Sequence, residues 1–301
     1  MRKRLFIKNT LILTLTAAAL RLLGLGFQIY LTNRVGAAGT GLFFLVMPVG
    51  AFAATFAISG SRFTATRLSA EELGKNNGRG ALAVVYKCLL YALCFGLAAF
   101  LLLFFGAGFI GNTLMREGRA VLSLRIFSLD MPFIAMGAVL GGYFTARKKA
   151  GLLAAVQLFE QVVRIAATLI ALQSVDVGDL ESSCAAMVFG TVSGETAGVV
   201  LSAVLFLIDR KALKTGASIP GVFRRIIAIA PPLAVAAYVR TALNALCGML
   251  VPRGLRSYGA EQETALASYG VINGMALPIA AFPSALFFSV SELIVPELTE
   301  A

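Results

Sequence analysis

Residues 9–34 read NTLILTLTAAALRLLGLGFQIYLTNR, and the fold is decided by how this stretch is read. It is an apolar run long enough to cross a bilayer, since a helical span needs ~20 predominantly apolar residues. Its costly feature is Arg21, which sits near the middle, too deep for the side chain to snorkel comfortably to an interface. A centred arginine costs ~2.5–3.5 kcal/mol on insertion-derived scales, so an intramembrane charge marks a functional-site candidate. Thr14, Arg21 and Gln28 are each seven residues apart, with Gly24 and Thr32 close to the same side. That spacing lays a polar stripe down one helix face. Two readings of Arg21 stand side by side: contact with a substrate, or an ion pair with an acid on a neighbouring helix.

The rest of the chain repeats the apolar theme. Of 301 residues, 58% are hydrophobic and only 14% charged, which excludes a soluble globular chain and a disordered one alike. Long apolar stretches, rather than short alternating segments, point to membrane helices and not to a transmembrane barrel. The absence of histidine removes imidazole acid–base chemistry and imidazole metal ligation together. Cys88, Cys94, Cys184 and Cys247 lie scattered in apolar segments without CxxC spacing, so they read as small core residues and not as a metal site or disulfide frame. No metal and no cofactor is implied. The N-terminal MRKRLFIK, with Ala17 and Ala19 behind it, imitates a signal peptide, but the apolar run continues well past those alanines and cleavage is rejected.

Eight spans are expected, over residues 11–33, 42–60, 81–110, 122–144, 152–172, 184–208, 226–251 and 265–295. The net charge of +11 follows this topology and implies no nucleic-acid partner. Sixteen lysines and arginines fall in the connections on the N-terminal side and six on the opposite side. By the positive-inside rule the N-terminus is cytoplasmic, and eight spans return the C-terminus there, leaving an external loop at residues 176–181. The longest cytoplasmic connection contains Lys-Thr-Gly-Ala-Ser-Ile-Pro-Gly, which lacks the order of a phosphate-binding loop and reads as a linker. It divides the chain into a six-helix lobe (residues 1–210), a linker (211–225) and the first two helices of a second lobe (226–301).

Polar residues inside the spans are few: Arg21, Asp130, Glu160, Arg164, Glu195, Arg240 and Glu292. Glu160 and Arg164 are four apart on one face, the spacing of an intrahelical ion pair. The acids are otherwise isolated, one per helix. Arg240 and Asn244 are one turn apart, beyond a Pro231-Pro232 pair expected to distort the start of that helix, and Pro278 and Pro283 do the same in the last span. Gly137 and Gly141, and then Gly190, Gly194 and Gly198, have the spacing of close helix contacts. Discontinuous, polar-faced helices meeting at mid-membrane mark a transport pathway. No HExxH, paired-carboxylate or GxSxG pattern supports an enzyme.

Two stretches carry a family resemblance. One is KNTLILTLTAAALRLLGLGFQIYLTNRVGAAGTGLF (8–43) running into ATFAISGSRFTATRLSAEELG (54–74), and the other is SYGVINGMALPIAAFPSALFFSVSELIVPELTEA (268–301). Together they resemble the stage V sporulation protein B and polysaccharide-biosynthesis group of multi-span exporters, within the superfamily that contains lipid II flippases, O-antigen flippases and multidrug-and-toxin extruders. The resemblance implies an all-α membrane bundle of two six-helix lobes around a cavity that opens alternately to each side. It implies a substrate that is a lipid-linked oligosaccharide or peptidoglycan precursor, handled in a bacterial cytoplasmic membrane for envelope or spore-cortex synthesis. Members have twelve to fourteen helices where eight are expected here, so the chain reads as one lobe plus the opening pair of the next, and an inactive fragment is one alternative. Ion-coupled extruders of the superfamily carry an acid in the first span, where this chain has Arg21; a cation-coupled drug exporter is the other alternative.

A cavity presenting Arg21, Gln28, Arg240 and Asn244 would suit a diphosphate head group, because guanidinium meets phosphate through two parallel hydrogen bonds. A weak internal repeat supports two lobes: a shift of 230 residues sets Met47-Pro48 over Leu277-Pro278, Arg62 over Glu292 and Arg67 over Glu297. If the second and eighth spans face each other, Arg62 and Glu292, seconded by Arg67 and Glu297, would form a gate at the cytoplasmic mouth.

Overall fold

The computed structural model describes residues 2–176, 178–213, 216–217, 221–259, 261–277 and 280. These form α1 (Arg2–Val35), α2 (Ala37–Ile58), α3 (Ser61–Gly74), α4 (Gly78–Phe109), α5 (Ala120–Ser128), α6 (Met131–Ala146), α7 (Ala150–Gln173), α8 (Leu180–Asp209), α9 (Val222–Ser257) and α10 (Gln262–Val271). No strand occurs among the described residues. A π-helical turn, Ile110–Met115, prolongs α4, and another, Ile272–Ala276, prolongs α10.

Six of the eight expected spans coincide with elements long and apolar enough to cross a membrane. Five are Ala37–Gly74, Gly78–Met115, Gly151–Gln173, Leu180–Asp209 and Val222–Ser257. The sixth, expected as one helix over residues 122–144, is a pair, α5 and α6, bent by 45°. The cause is local: Pro132 has no amide hydrogen and its ring clashes with the carbonyl four residues back, at Ser128, so α5 ends there and α6 restarts with Pro132 in its first turn. The first expected span falls within α1, and the eighth begins at α10 and continues beyond the described residues. α9, by contrast, runs unbroken through Pro231 and Pro232. The prolines do not interrupt the helix, and both are exposed on its surface.

Small residues set the packing. Gly190, Gly194 and Gly198 all face α7, where a Cβ on Gly194 would stand 2.8 Å from the Glu160 carbonyl and a Cβ on Gly198 3.1 Å from the Glu160 carboxylate. The glycine ladder therefore serves contact within the chain. Gly137 meets Val199, but Gly141 meets nothing; its neighbour Gly142 takes the close approach to the Arg62 carbonyl instead. Ser59 and Gly60 are both left-handed (φ 41° and 72°), which separates α2 from α3, and Gly60 also abuts the Ala230 carbonyl of α9. A side chain at position 60 would meet both obstacles at once.

The core of the bundle is built from Leu42, Leu45, Leu68, Leu124, Met131, Tyr143 and Phe144, each almost wholly buried. Outside it, Leu102, Phe105, Phe109, Ile170 and Ile208 are exposed, which is where a lipid-facing surface belongs. Cys88 and Cys184 are buried as expected, whereas Cys94 and Cys247 lie on exposed helix faces rather than in the core. Helices α9 and α10 lie against α2, with α9 also touching α3 and α4.

Candidate functional site

The first feature is a cavity of about 230 Å³ between α1, α2, α7 and α8. Its lining includes Phe27, Leu31 and Met47, and the polar groups Gln28, Gln161, Arg164, Thr168 and Thr191. The stripe seen on α1 delivers Gln28 here, and the glycine face of α8 brings Thr191 and the α7 polar face close. Thr168 and Thr191 spend their hydroxyls on the Arg164 and Met187 carbonyls one turn back. Two buried donors are left without a partner: the side-chain amide nitrogen of Gln28 and Nε of Arg164. A buried donor left unsatisfied costs ~1–3 kcal/mol, so the cavity is suited to a ligand rich in acceptors.

Behind the cavity lies a charged cluster. Arg164 donates to Glu160 at 3.1 Å, as the four-residue spacing foretells, and also stands 3.9 Å from Glu195 on α8. Asp130, at the α5–α6 kink, is fully buried beside Glu195, and neither of its oxygens has a hydrogen-bond partner. The acids read as isolated, one per helix, thus converge. Helix phase along each span was legible, but the kink that turns Asp130 toward α8 was not. Among the described residues no group of three acid, cysteine or histidine side chains could hold a metal ion.

The two ends of the bundle differ. At the end bearing residues 110–120 and 253–263, Glu117 is 1% exposed and accepts from Arg119 at 2.7 and 3.1 Å and from Gln262 at 2.6 Å. Arg253 and Arg256 donate to the carbonyls of Thr113 and Arg116, two acceptors near the terminus that follows α4. Burial works to raise the Glu117 carboxyl, but the hydrogen bonds from Arg119 and Gln262 and the nearby Arg119 and Arg256 charges outweigh it. The group therefore titrates below its ordinary value. At the opposite, basic end, Glu71 bridges Arg67 on its own helix (3.2 Å) and Arg225 on α9 (2.5 Å), with all three partly exposed. Asp209 is ringed there by Tyr143, Arg147 and Lys149 at 2.5–3.2 Å. Between the ends, Tyr238 of α9 donates to the Ser59 hydroxyl at 2.8 Å, and Ser59 also meets Tyr91.

Of the residues singled out from sequence, Gln28 lines the cavity. Arg21 is exposed on α1, seven residues from Gln28 on the same face, and Arg240 and Asn244 are exposed on α9. The structure does not bring Arg240 or Asn244 into the cavity with Gln28. Arg62 and Arg67 are exposed on α3, while Glu292 and Glu297 lie outside the described residues. The ion pair that does join α3 to α9 has the reverse polarity, acid on α3 and base on α9. Sequence reading passed over Glu71 and Arg225; the weak repeat had drawn attention to the arginines four and nine residues before Glu71. Glu117 was also missed, although two of the six bases on its side, Arg119 and Arg256, act on it.

A family model described as polysaccharide biosynthesis protein matches residues 6–300. Stage V sporulation protein B of Bacillus subtilis is 24% identical over 100% of this chain and 59% of its own length. Sporulation protein YkvU of the same organism is 23% identical over 57% of this chain and 39% of its own length. The chain thus spans about three fifths or less of the curated relatives it matches. Among solved structures, a multidrug resistance MATE family transporter of the MOP superfamily, in an inward-facing conformation, matches with a TM-score of 0.61 at 14% identity, over 93% of this chain and 68% of that one. A MOP superfamily transporter from Pyrococcus furiosus matches with a TM-score of 0.62 at 14% identity, over 97% of this chain and 69% of that one. The likeness is one of fold: a multi-pass helical bundle.

Proposed function

The chain belongs to the polysaccharide biosynthesis protein family, and from that premise we propose that it acts in a flippase. The reading is of a lipid-linked oligosaccharide or peptidoglycan precursor moved across the bacterial cytoplasmic membrane by alternating access, without enzymatic chemistry. The observation that carries it is the cavity with unspent donors on Gln28 and Arg164, approached by the α1 stripe on which Arg21 is exposed. Phosphate oxygens supply the acceptors these groups lack. The domain division at residues 211–225 belongs to the same reading: α9 and α10 open a second lobe, facing the first across α2. The excess of bases at the N-terminal side supports cytoplasmic termini.

A cation-coupled drug exporter is the second reading, favoured by the convergence of Asp130, Glu160 and Glu195. The two are separated by transport in proteoliposomes containing the full-length protein and a fluorescent lipid-linked diphosphate saccharide. Arg21→Ala and Arg21→Lys should each lower flux at least tenfold, the latter because an ammonium cannot form the paired hydrogen bonds of guanidinium. Undiminished flux in Arg21→Ala would remove Arg21 from the pathway, and no flux in the wild type, with efflux of a cationic dye in its place, would favour the exporter.

A further inference from the structure

The cluster behind the cavity carries three carboxyls and one guanidinium within the membrane span. Glu160 and Glu195 share Arg164, at 3.1 and 3.9 Å. Asp130 has no such support: it is fully buried, and both its oxygens lack a partner. Ionised, it would be an uncompensated anion in low dielectric beside two other acids, a state that buried carboxyls avoid by taking up a proton.

Among the described residues, few other charges lie on the helices around the kink. α2 contains no acidic or basic residue. α4 meets the kink at Gly96, nine residues beyond its nearest base, Lys87. α3 approaches α6 at Gly142, about three turns from Asp130. On α5, Arg125 turns outward over the Phe104 ring at 5.7 Å. The charged groups that bear most on Asp130 are Glu195 on α8 and Glu160 and Arg164 on α7.

We propose that Asp130 and Glu195 form a proton-binding site within the first lobe, with Arg164 as the group that senses its occupancy. With the proton on Asp130, Glu160 and Glu195 share Arg164 and the guanidinium keeps its free Nε at the cavity. When Asp130 gives up its proton to solvent, the added charge draws Arg164 toward Glu195 and away from Gln28. The site thereby links proton release to loss of a cavity donor. That link rests on the cavity being the ligand site, whereas the proton site itself does not depend on what the cavity binds.

The test needs no substrate. The 301-residue chain in lipid nanodiscs is titrated while its infrared difference spectrum is recorded. A protonated-carboxyl C=O band should be present and vanish as pH rises. Asp130→Asn should abolish it, and Glu195→Gln should move its loss to lower pH by relieving the like charge. A band unchanged in Asp130→Asn, or no titrating carboxyl in the wild type, would overturn the proposal. Should Asp130→Asn fail to fold, an unmoved titration in Glu195→Gln would overturn it equally. Because flux of lipid-linked substrate plays no part, either result leaves the flippase reading to its own test.

Discussion

The two ends of the bundle are joined by different physics. At the end around Glu117 the joint centres on a buried carboxylate with three donor contacts, flanked by two exposed arginine contacts to carbonyls after α4. At the basic end the joint between α3 and α9 is the Glu71–Arg225 pair, whose side chains are 33% and 40% exposed. Breaking a buried pair by removing one partner costs ~3–5 kcal/mol, whereas an exposed pair contributes ~0–1 kcal/mol. The difference teaches that charge content alone does not locate the firm contact. The basic end holds most of the ions, yet the end with fewer holds the tighter seal. In an alternating-access cycle such an asymmetry favours the state closed around Glu117 and openable at the basic end.

The largest effect is expected from Glu117→Ala, which leaves Arg119 and the nearby Arg256 charge without the acid that offsets them. A loss of about 3 kcal/mol, at the low end of the buried range because Arg119 retains some solvent, should appear as a clear fall in thermal unfolding temperature in detergent. The pH dependence has a definite sign. A carboxyl whose folded value lies below its unfolded one stabilises fully above the unfolded value, ~4.3 for Glu, and loses that contribution as pH falls through the folded value. Wild-type stability should therefore drop on acidification below about pH 4, a dependence that Glu117→Gln should flatten. Equal slopes in the two proteins would remove Glu117 from the joint. The smallest effect is expected from Arg225→Ala, at most about 1 kcal/mol. A larger loss than that of Glu117→Ala would reverse the comparison.

How much of this was legible beforehand follows from where the information lies. Apolar length is a property of single segments, so residues 42–60, 152–172 and 184–208 anticipated their helices within a few residues. The Glu160–Arg164 pair was legible for the same reason, since both groups sit on one helix face. Asp130 is different: its role depends on a break imposed by Pro132 and on the rotation of α6 against α8. Glu117 lies in a short connection with no periodicity to read, and its partner Gln262 is 145 residues away. Arg240 and Asn244 satisfied a spacing rule, yet their face of α9 is exposed, because spacing gives helix phase but not which neighbour the phase meets. The gate inferred from the 230-residue shift pairs bases on α3 with Glu292 and Glu297, which lie outside the described residues, whereas Glu71 on that same helix supplies the observed link to α9.

The asymmetry between the ends is tested most directly by distance distributions from paired spin labels in the full-length protein in nanodiscs. One pair would sit at positions 118 and 261, beside the Glu117 joint, and the other at 70 and 224, beside Glu71–Arg225. The expected result is a single narrow distribution at the first pair and a broad or two-component one at the second, with Glu117→Ala broadening the first. Equal widths at both ends, or a narrow distribution at the basic end alone, would contradict it.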